Sequence, residues 1–154
     1  RFAVLERLAM LSESGQTATV LFLDVDGFKS VNDTRGHAVG DLVLVEISNR
    51  LQSELRTGSM VGRLGGDEFV VVATDLPGER AAVSLGRRLI ERVEQPYQLD
   101  DVLFGLSASV GVASMLPGDA PLEVIHRADA ARCPWIASSL TLLAMTLGCA
   151  RAPE

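Results

Sequence analysis

The chain has 154 residues, 47% of them hydrophobic and 22% charged, with a formal net charge of −6. That size and balance suit one globular domain with a real core and exclude a disordered chain. The acidic surplus excludes a nucleic-acid surface, which needs a basic face. It leaves room for a nucleotide held through a metal and backbone N–H groups.

In chain order, the apolar residues Val4, Leu5, Leu8 and Leu11 recur at helical spacing, predicting a helix over 2–12 that ends at Ser14-Gly15-Gln16. The run Thr19 to Leu23 predicts a buried strand leading into Asp24-Val25-Asp26-Gly27. Leu44, Ile47, Leu51 and Leu55 mark a helix over 38–55. Two short strands, 60–63 and 69–73, flank Leu64-Gly65-Gly66-Asp67-Glu68, and Asp75-Leu76-Pro77-Gly78 breaks the chain. Ala82, Leu85, Leu89 and Val93 predict a helix over 79–94. Residues 97–104 are expected to form a hairpin arm with a strand over 106–115, and 121–131 a last helix with Pro121 in its first turn. The fold class is α+β: a ferredoxin-like β-α-β-β-α-β, palm-type sandwich with a mainly antiparallel sheet flanked by helices.

Composition changes at Cys133. From there to Ala150 no residue is charged, and the apolar stretch 136–150 is interrupted by Ser138, Ser139, Thr141, Thr146 and Gly148. Its uninterrupted length falls short of the roughly 20 residues of a membrane span, so direct membrane insertion is not expected. The organisation read here is a domain over 1–132 and a divergent apolar tail over 133–154. Cys133 and Cys149 make no disulfide framework and no zinc spacing, and a cytoplasmic setting is expected. A chain beginning at Arg1, without a signal peptide, reads as part of a longer protein.

The chemistry gathers in the acidic motifs. Asp24 and Asp26, two residues apart, point to one side of a strand or of the loop after it. Asp67-Glu68 sits at the mouth of the next hairpin, where an unpartnered buried carboxylate is costly. In a split β-α-β-β-α-β sheet the two strands are neighbours, so Asp24 and Asp67 can converge on one magnesium ion, with phosphate completing its shell. Taken singly, each motif reads better as a turn-capping aspartate; two acidic strand ends on one sheet together favour the cation site. Lys29 is the sole lysine and follows the acidic cluster closely, which suits a phosphate contact; a solvated surface lysine is the plainer alternative. Asp41 opens the long helix, where the helix dipole favours it; a carboxylate there also matches the two N–H groups of guanine, with Asn32 for the rest of the base edge. His37 reads as a structural histidine holding its loop. No P-loop run and no Gly-x-Gly-x-x-Gly is present.

Together, Asp24-Val25-Asp26-Gly27-Phe28-Lys29, Asn32-Asp33, Gly36-His37, Gly40-Asp41 and Arg63-Leu64-Gly65-Gly66-Asp67-Glu68-Phe69 resemble the GGDEF diguanylate cyclase domain of bacterial signalling proteins. Ser107 to Ala113 and Arg127-Ala128-Asp129-Ala130-Ala131 look like its later strand and last helix. The resemblance covers about residues 1 to 132. It implies condensation of two GTP into cyclic di-GMP with release of pyrophosphate, by a homodimer whose antiparallel domains each hold one GTP. It implies Asp24, the Val25 carbonyl, Asp67 and Glu68 as ligands of magnesium (or manganese), and Asp67 and Glu68 as catalytic groups, with Glu68 a candidate base for the 3′-hydroxyl. Lys29, Asn32, Asp41, Gly65 and Gly66 would bind substrate. A fused sensor or effector domain would lie outside the chain.

Two departures stand out. The family's inhibitory product site, Arg-x-x-Asp, here reads Arg56-Thr57-Gly58-Ser59, and a neutral hydroxyl cannot replace a carboxylate beside arginine. Product inhibition through Arg56 is therefore expected to be weak or absent. Later, the positions that carry phosphate-binding lysine and arginine fall on Ile136 and Leu140, after a helix-breaking Pro134. The second reading is thus a catalytically impaired GTP-binding module that regulates a fused partner.

Overall fold

The structure is a computed structural model that describes residues 1–99 and 102–132. The tail expected over 133–154, with Ile136 and Leu140, lies outside the described residues.

The chain runs α1 (Phe2–Glu13), β1 (Ala18–Asp26), α2 (Phe28–Arg35), α3 (His37–Ser53), β2 (Met60–Gly65), β3 (Glu68–Ala73), α4 (Glu79–Val93), β4 (Tyr97–Leu99), β5 (Val102–Phe104), β6 (Ser107–Met115) and α5 (Pro121–Ala130). β2, β3, β1 and β6 form one sheet in that order, and every neighbouring pair is antiparallel. This is the expected α+β sandwich. β3 and β1 are the two inner strands, and both are mostly buried. Leu21, Leu23 and Val25 face one helical layer, and Val20 and Phe22 face the other.

Two cores result. α2, α3 and α4 cover one face with Phe28, Val31, Val43, Ile47, Leu51 and Leu89; α1 and α5 cover the other with Val4, Leu8, Leu11, Val124 and Ile125. Strand alternation and helical stripes therefore agree on the same two faces.

Two expectations need correction. The 97–104 arm does not pair with the strand over 106–115; β4 pairs with β5 alone as a separate two-stranded sheet. The Tyr97 and Phe104 rings stack on each other, 5.5 Å between centroids, and the Arg50 and Arg35 guanidinium groups cover them. That packing turns the arm toward α2 and α3 instead of toward the edge of β6. The stretch between the two short strands, expected over 64–68, is also shorter. Only Gly66 has a left-handed φ, +52°, while Gly65 is the last residue of β2 beside an irregularity in the β2–β3 register.

Candidate functional site

The acidic cluster forms where β1 and β3 meet. Asp24 and Glu68 are direct partners in the antiparallel register, so their side chains leave the same face of the sheet. The turn before β3 is tied to β1 by the Val25 N–H, which donates to the Asp67 carbonyl at 3.2 Å. Arg63 Nε donates to the Gly66 carbonyl at 2.7 Å and fixes the turn from the other side. The space a side chain would fill at Gly65 and Gly66 is open, so an anionic ligand can lie against the backbone there.

Asp67 and Glu68 are half-buried, and their carboxylates make no hydrogen bond or ion pair with any described residue. Asp24, Asp67 and Glu68 with the Val25 carbonyl offer only oxygen donors, which is the chemistry of a hard cation such as magnesium. The residues fit that cation in kind. Among the described residues, however, no three acidic, His or Cys side chains are gathered tightly enough to cage a metal. Asp24 in particular is paired with another side chain.

Its partner is Arg132, which the sequence showed only as the last charge before the apolar tail. Arg132 Nη1 donates to Asp24 Oδ2. Its Nε lies 2.7 Å from Asp129 Oδ1 as a charge contact and donates to the Asp129 backbone carbonyl at 3.4 Å. Asp129 Oδ1 itself accepts no hydrogen bond from a described group. The guanidinium also lies 5.3 Å from the centroid of the Phe22 ring. Burial works against the charge of Arg132, but the hydrogen bond to Asp24 and the charges of Asp129 and Asp24 outweigh it and hold its pKa above the ordinary range. The only sequence signal was the Asp129–Arg132 spacing, an opposite-charge pair three residues apart where α5 ends.

A second group sits at the α2–α3 junction. The N-terminus of α2 follows Asp26 directly, with Gly27 as its cap. Lys29 is exposed in its first turn. A Cβ at Gly40 would lie 2.0 Å from the Asn32 Oδ1, so any side chain there would displace the Asn32 carboxamide. The Asn32 carboxamide therefore lies against α3 one residue from Asp41, which is exposed. The structure thus sets Asn32 against the helix that carries Asp41, and Lys29 lies in the chain between Asp24-Asp26 and these two residues. His37 is exposed at the start of α3 and makes no hydrogen bond with a described residue, so the expected loop-holding contact is not formed. Here the Gly36 N–H holds the loop, donating to the Asn32 carbonyl at 2.8 Å.

Arg56 is remote from this cluster, between α3 and β2. A turn joins it to Ser59, whose N–H donates to the Arg56 carbonyl at 3.1 Å. Both line a cleft of about 220 Å³ with Leu76 and Arg88. Glu54, on the same cleft, is engaged by Arg88 at 3.2 Å and Arg92 at 2.7 Å. No helix among the described residues is long and apolar enough to cross a membrane.

Comparison with known proteins matches residues 3–133 to the family described as diguanylate cyclase, GGDEF domain. The bifunctional diguanylate cyclase/cyclic di-GMP phosphodiesterase MucR of Pseudomonas aeruginosa is 44% identical over 114 residues, 73% of this chain and 16% of that protein. Diguanylate cyclase TpbB of the same species is 39% identical over 123 residues, 78% of this chain and 28% of that protein. The chain therefore spans under a third of the length of these relatives. Among solved structures, diguanylate cyclase SiaD of Pseudomonas aeruginosa, in complex with its activator SiaC, superposes with a TM-score of 0.76 at 37% identity, over 85% of this chain and 52% of that one.

Proposed function

The chain belongs to the GGDEF diguanylate cyclase family, and from that membership we propose that it condenses two GTP into cyclic di-GMP with release of two pyrophosphates. The reaction depends on magnesium and runs in an antiparallel homodimer, each domain holding one GTP. The observation that carries this reading is the meeting of Asp24 and Glu68 across β1 and β3, with the Asp67 turn tied to Val25 and the N-terminus of α2 alongside.

Each group has a task that follows from its chemistry. The open side of Gly65 and Gly66 admits the triphosphate, and Lys29 offsets its charge. Asp41 accepts the two N–H groups of guanine, and Asn32 completes the base edge. Glu68 takes the proton of the 3′-hydroxyl, and Asp67 orients the same centre. Asp24, the Val25 carbonyl, Asp67 and Glu68 would hold magnesium or manganese, which when bound would supply charge neutralisation at the α-phosphate and acidity at the attacking hydroxyl. Positioning and charge complementarity then account for most of the rate. Arg56 lacks a carboxylate partner in its turn, so product binding there is weak. A sensor or effector domain outside the chain carries the input signal.

A second reading, a GTP-binding regulatory module, has one specific observation in its favour: Asp24 is already paired with Arg132. Incubation with GTP and magnesium, followed by chromatography, separates the two. Cyclic di-GMP that disappears in Asp67→Asn and Glu68→Gln supports the cyclase. GTP bound by a dimer that makes no product identifies the module.

A further inference from the structure

Asp24 and Glu68 present two negative charges from directly opposed positions of one sheet face. Like charges so placed repel, and the arrangement calls for a cation between or beside them. In this chain a side chain already provides one. Arg132 pairs with Asp24 on one side and Asp129 on the other, with its guanidinium over the Phe22 ring.

The backbone is built to put it there. Gly111 of β6 is the register partner of Phe22. A Cβ at Gly111 would lie 1.9 Å from the Ala128 carbonyl and 2.7 Å from the Arg132 nitrogen. The end of α5 thus lies directly on the sheet, and Arg132 leaves its backbone one strand away from Phe22, two residues from Asp24. Both members of the Asp24–Arg132 pair are 30% exposed, so the contact is partly shielded from water and open to exchange. A guanidinium released from Asp24 keeps its i,i+3 partner Asp129 and the Phe22 ring.

We propose that Arg132 is a tethered counter-ion of the metal carboxylate: it occupies Asp24 when no divalent cation is bound and is displaced from Asp24 when one binds. This rests on the reading of Asp24 as a cation ligand. Arg132 then sets the cation concentration at which the site fills. It also keeps Asp24 and Glu68 compatible in the free protein, a role that a neutral side chain cannot fill. Removing the competitor removes a charge-assisted contact that the cation must otherwise break, which corresponds to roughly tenfold tighter cation binding.

The test measures binding of Mn2+ alone to the full chain, without nucleotide, by electron paramagnetic resonance. It compares the wild type with Arg132→Leu, Arg132→Gln and Asp24→Asn. Binding that tightens about tenfold in both arginine variants and disappears in Asp24→Asn supports the proposal. Binding that Asp24→Asn abolishes but the arginine variants leave unchanged or weaken overturns it and leaves the cation site standing. Binding that survives Asp24→Asn, or no binding to any form, overturns the Asp24 site and this inference with it. A second measurement needs no substitution and is insensitive to a variant that fails to fold. In the 15N-arginine-labelled wild type, the Arg132 Nε–H resonance shifts with Mg2+ along the same binding curve. A resonance unmoved at saturating Mg2+ means that Arg132 never leaves Asp24 and overturns the proposal.

Discussion

Asp41, proposed to read guanine, would depend on its neighbour for that role. It is exposed and does no packing, yet the glycine before it lets the Asn32 carboxamide come within reach of the same ligand edge. A carboxylate accepting two N–H groups contributes roughly 1.5–3 kcal/mol per charged hydrogen bond once shielded from water. Asp41→Ala is therefore expected to weaken GTP binding by roughly one to two orders of magnitude. It should also erase the preference for GTP over ITP, whose base lacks the 2-amino group. Calorimetry with both nucleotides checks this; a preference that survives in Asp41→Ala removes Asp41 from guanine recognition. These residues were legible in the sequence because they sit in short motifs with fixed chemistry. Arg132 was not. Its partner Asp24 is 108 positions away, and only the absence of a side chain at Gly111 lets their elements approach so closely.

At the scale of elements, the long helices and the four main strands followed from periodicity to within a few residues, because each buries one clear apolar stripe. α2 was left open because only Phe28 and Val31 of its eight residues are buried. The β4–β5 arm was misplaced because strand pairing depends on tertiary partners, and these partners are arginines. Arg50 donates to the carbonyls of Arg92, Gln95 and Pro96, closing the end of α4, while its guanidinium covers Tyr97 at 4.0 Å. Tyr97 is buried, and its hydroxyl donates to the Val93 carbonyl at 2.7 Å. Burial raises its pKa from 10.0 to about 12, against the lowering effect of Arg50. The neutral phenol is thus favoured in the folded state, while the unfolded chain ionises near 10. The stabilisation is complete below pH 10 and is lost as the pH rises from there toward 12. Urea midpoints measured from pH 8 to 11.5 should fall above pH 10. Tyr97→Phe should be less stable at neutral pH by about 1 kcal/mol, having left the Val93 carbonyl unpaired, and its midpoint should fall less steeply above pH 10. An equally steep alkaline fall in Tyr97→Phe would assign it to other groups.

For the whole molecule, the order β2-β3-β1-β6 places β1 and β3 side by side at the centre of the sheet, which is why two acidic motifs far apart in sequence share one end of it. That much followed from the alternation of strands and helices. Assembly did not, because the surface that faces a second copy carries no periodic signal. The chemistry nevertheless constrains it. In the proposed reaction one site would hold one GTP, and each product molecule needs two 3′-hydroxyls and two α-phosphates brought together. A single domain cannot complete the reaction, whereas two domains facing each other can do so symmetrically. Mixing wild-type protein with an excess of neither partner but equal amounts of Asp41→Ala, under conditions of free subunit exchange, gives about one quarter wild-type pairs by random assortment. At a GTP concentration that fills the wild-type site but not the weakened Asp41→Ala site, mixed pairs would hold only one GTP. Cyclic di-GMP production should therefore drop to about half of what the same wild-type protein gives alone, since only half of its subunits keep a competent partner. Production undiminished by Asp41→Ala at any ratio would mean that each chain turns over independently, and the obligate pair would have to be abandoned.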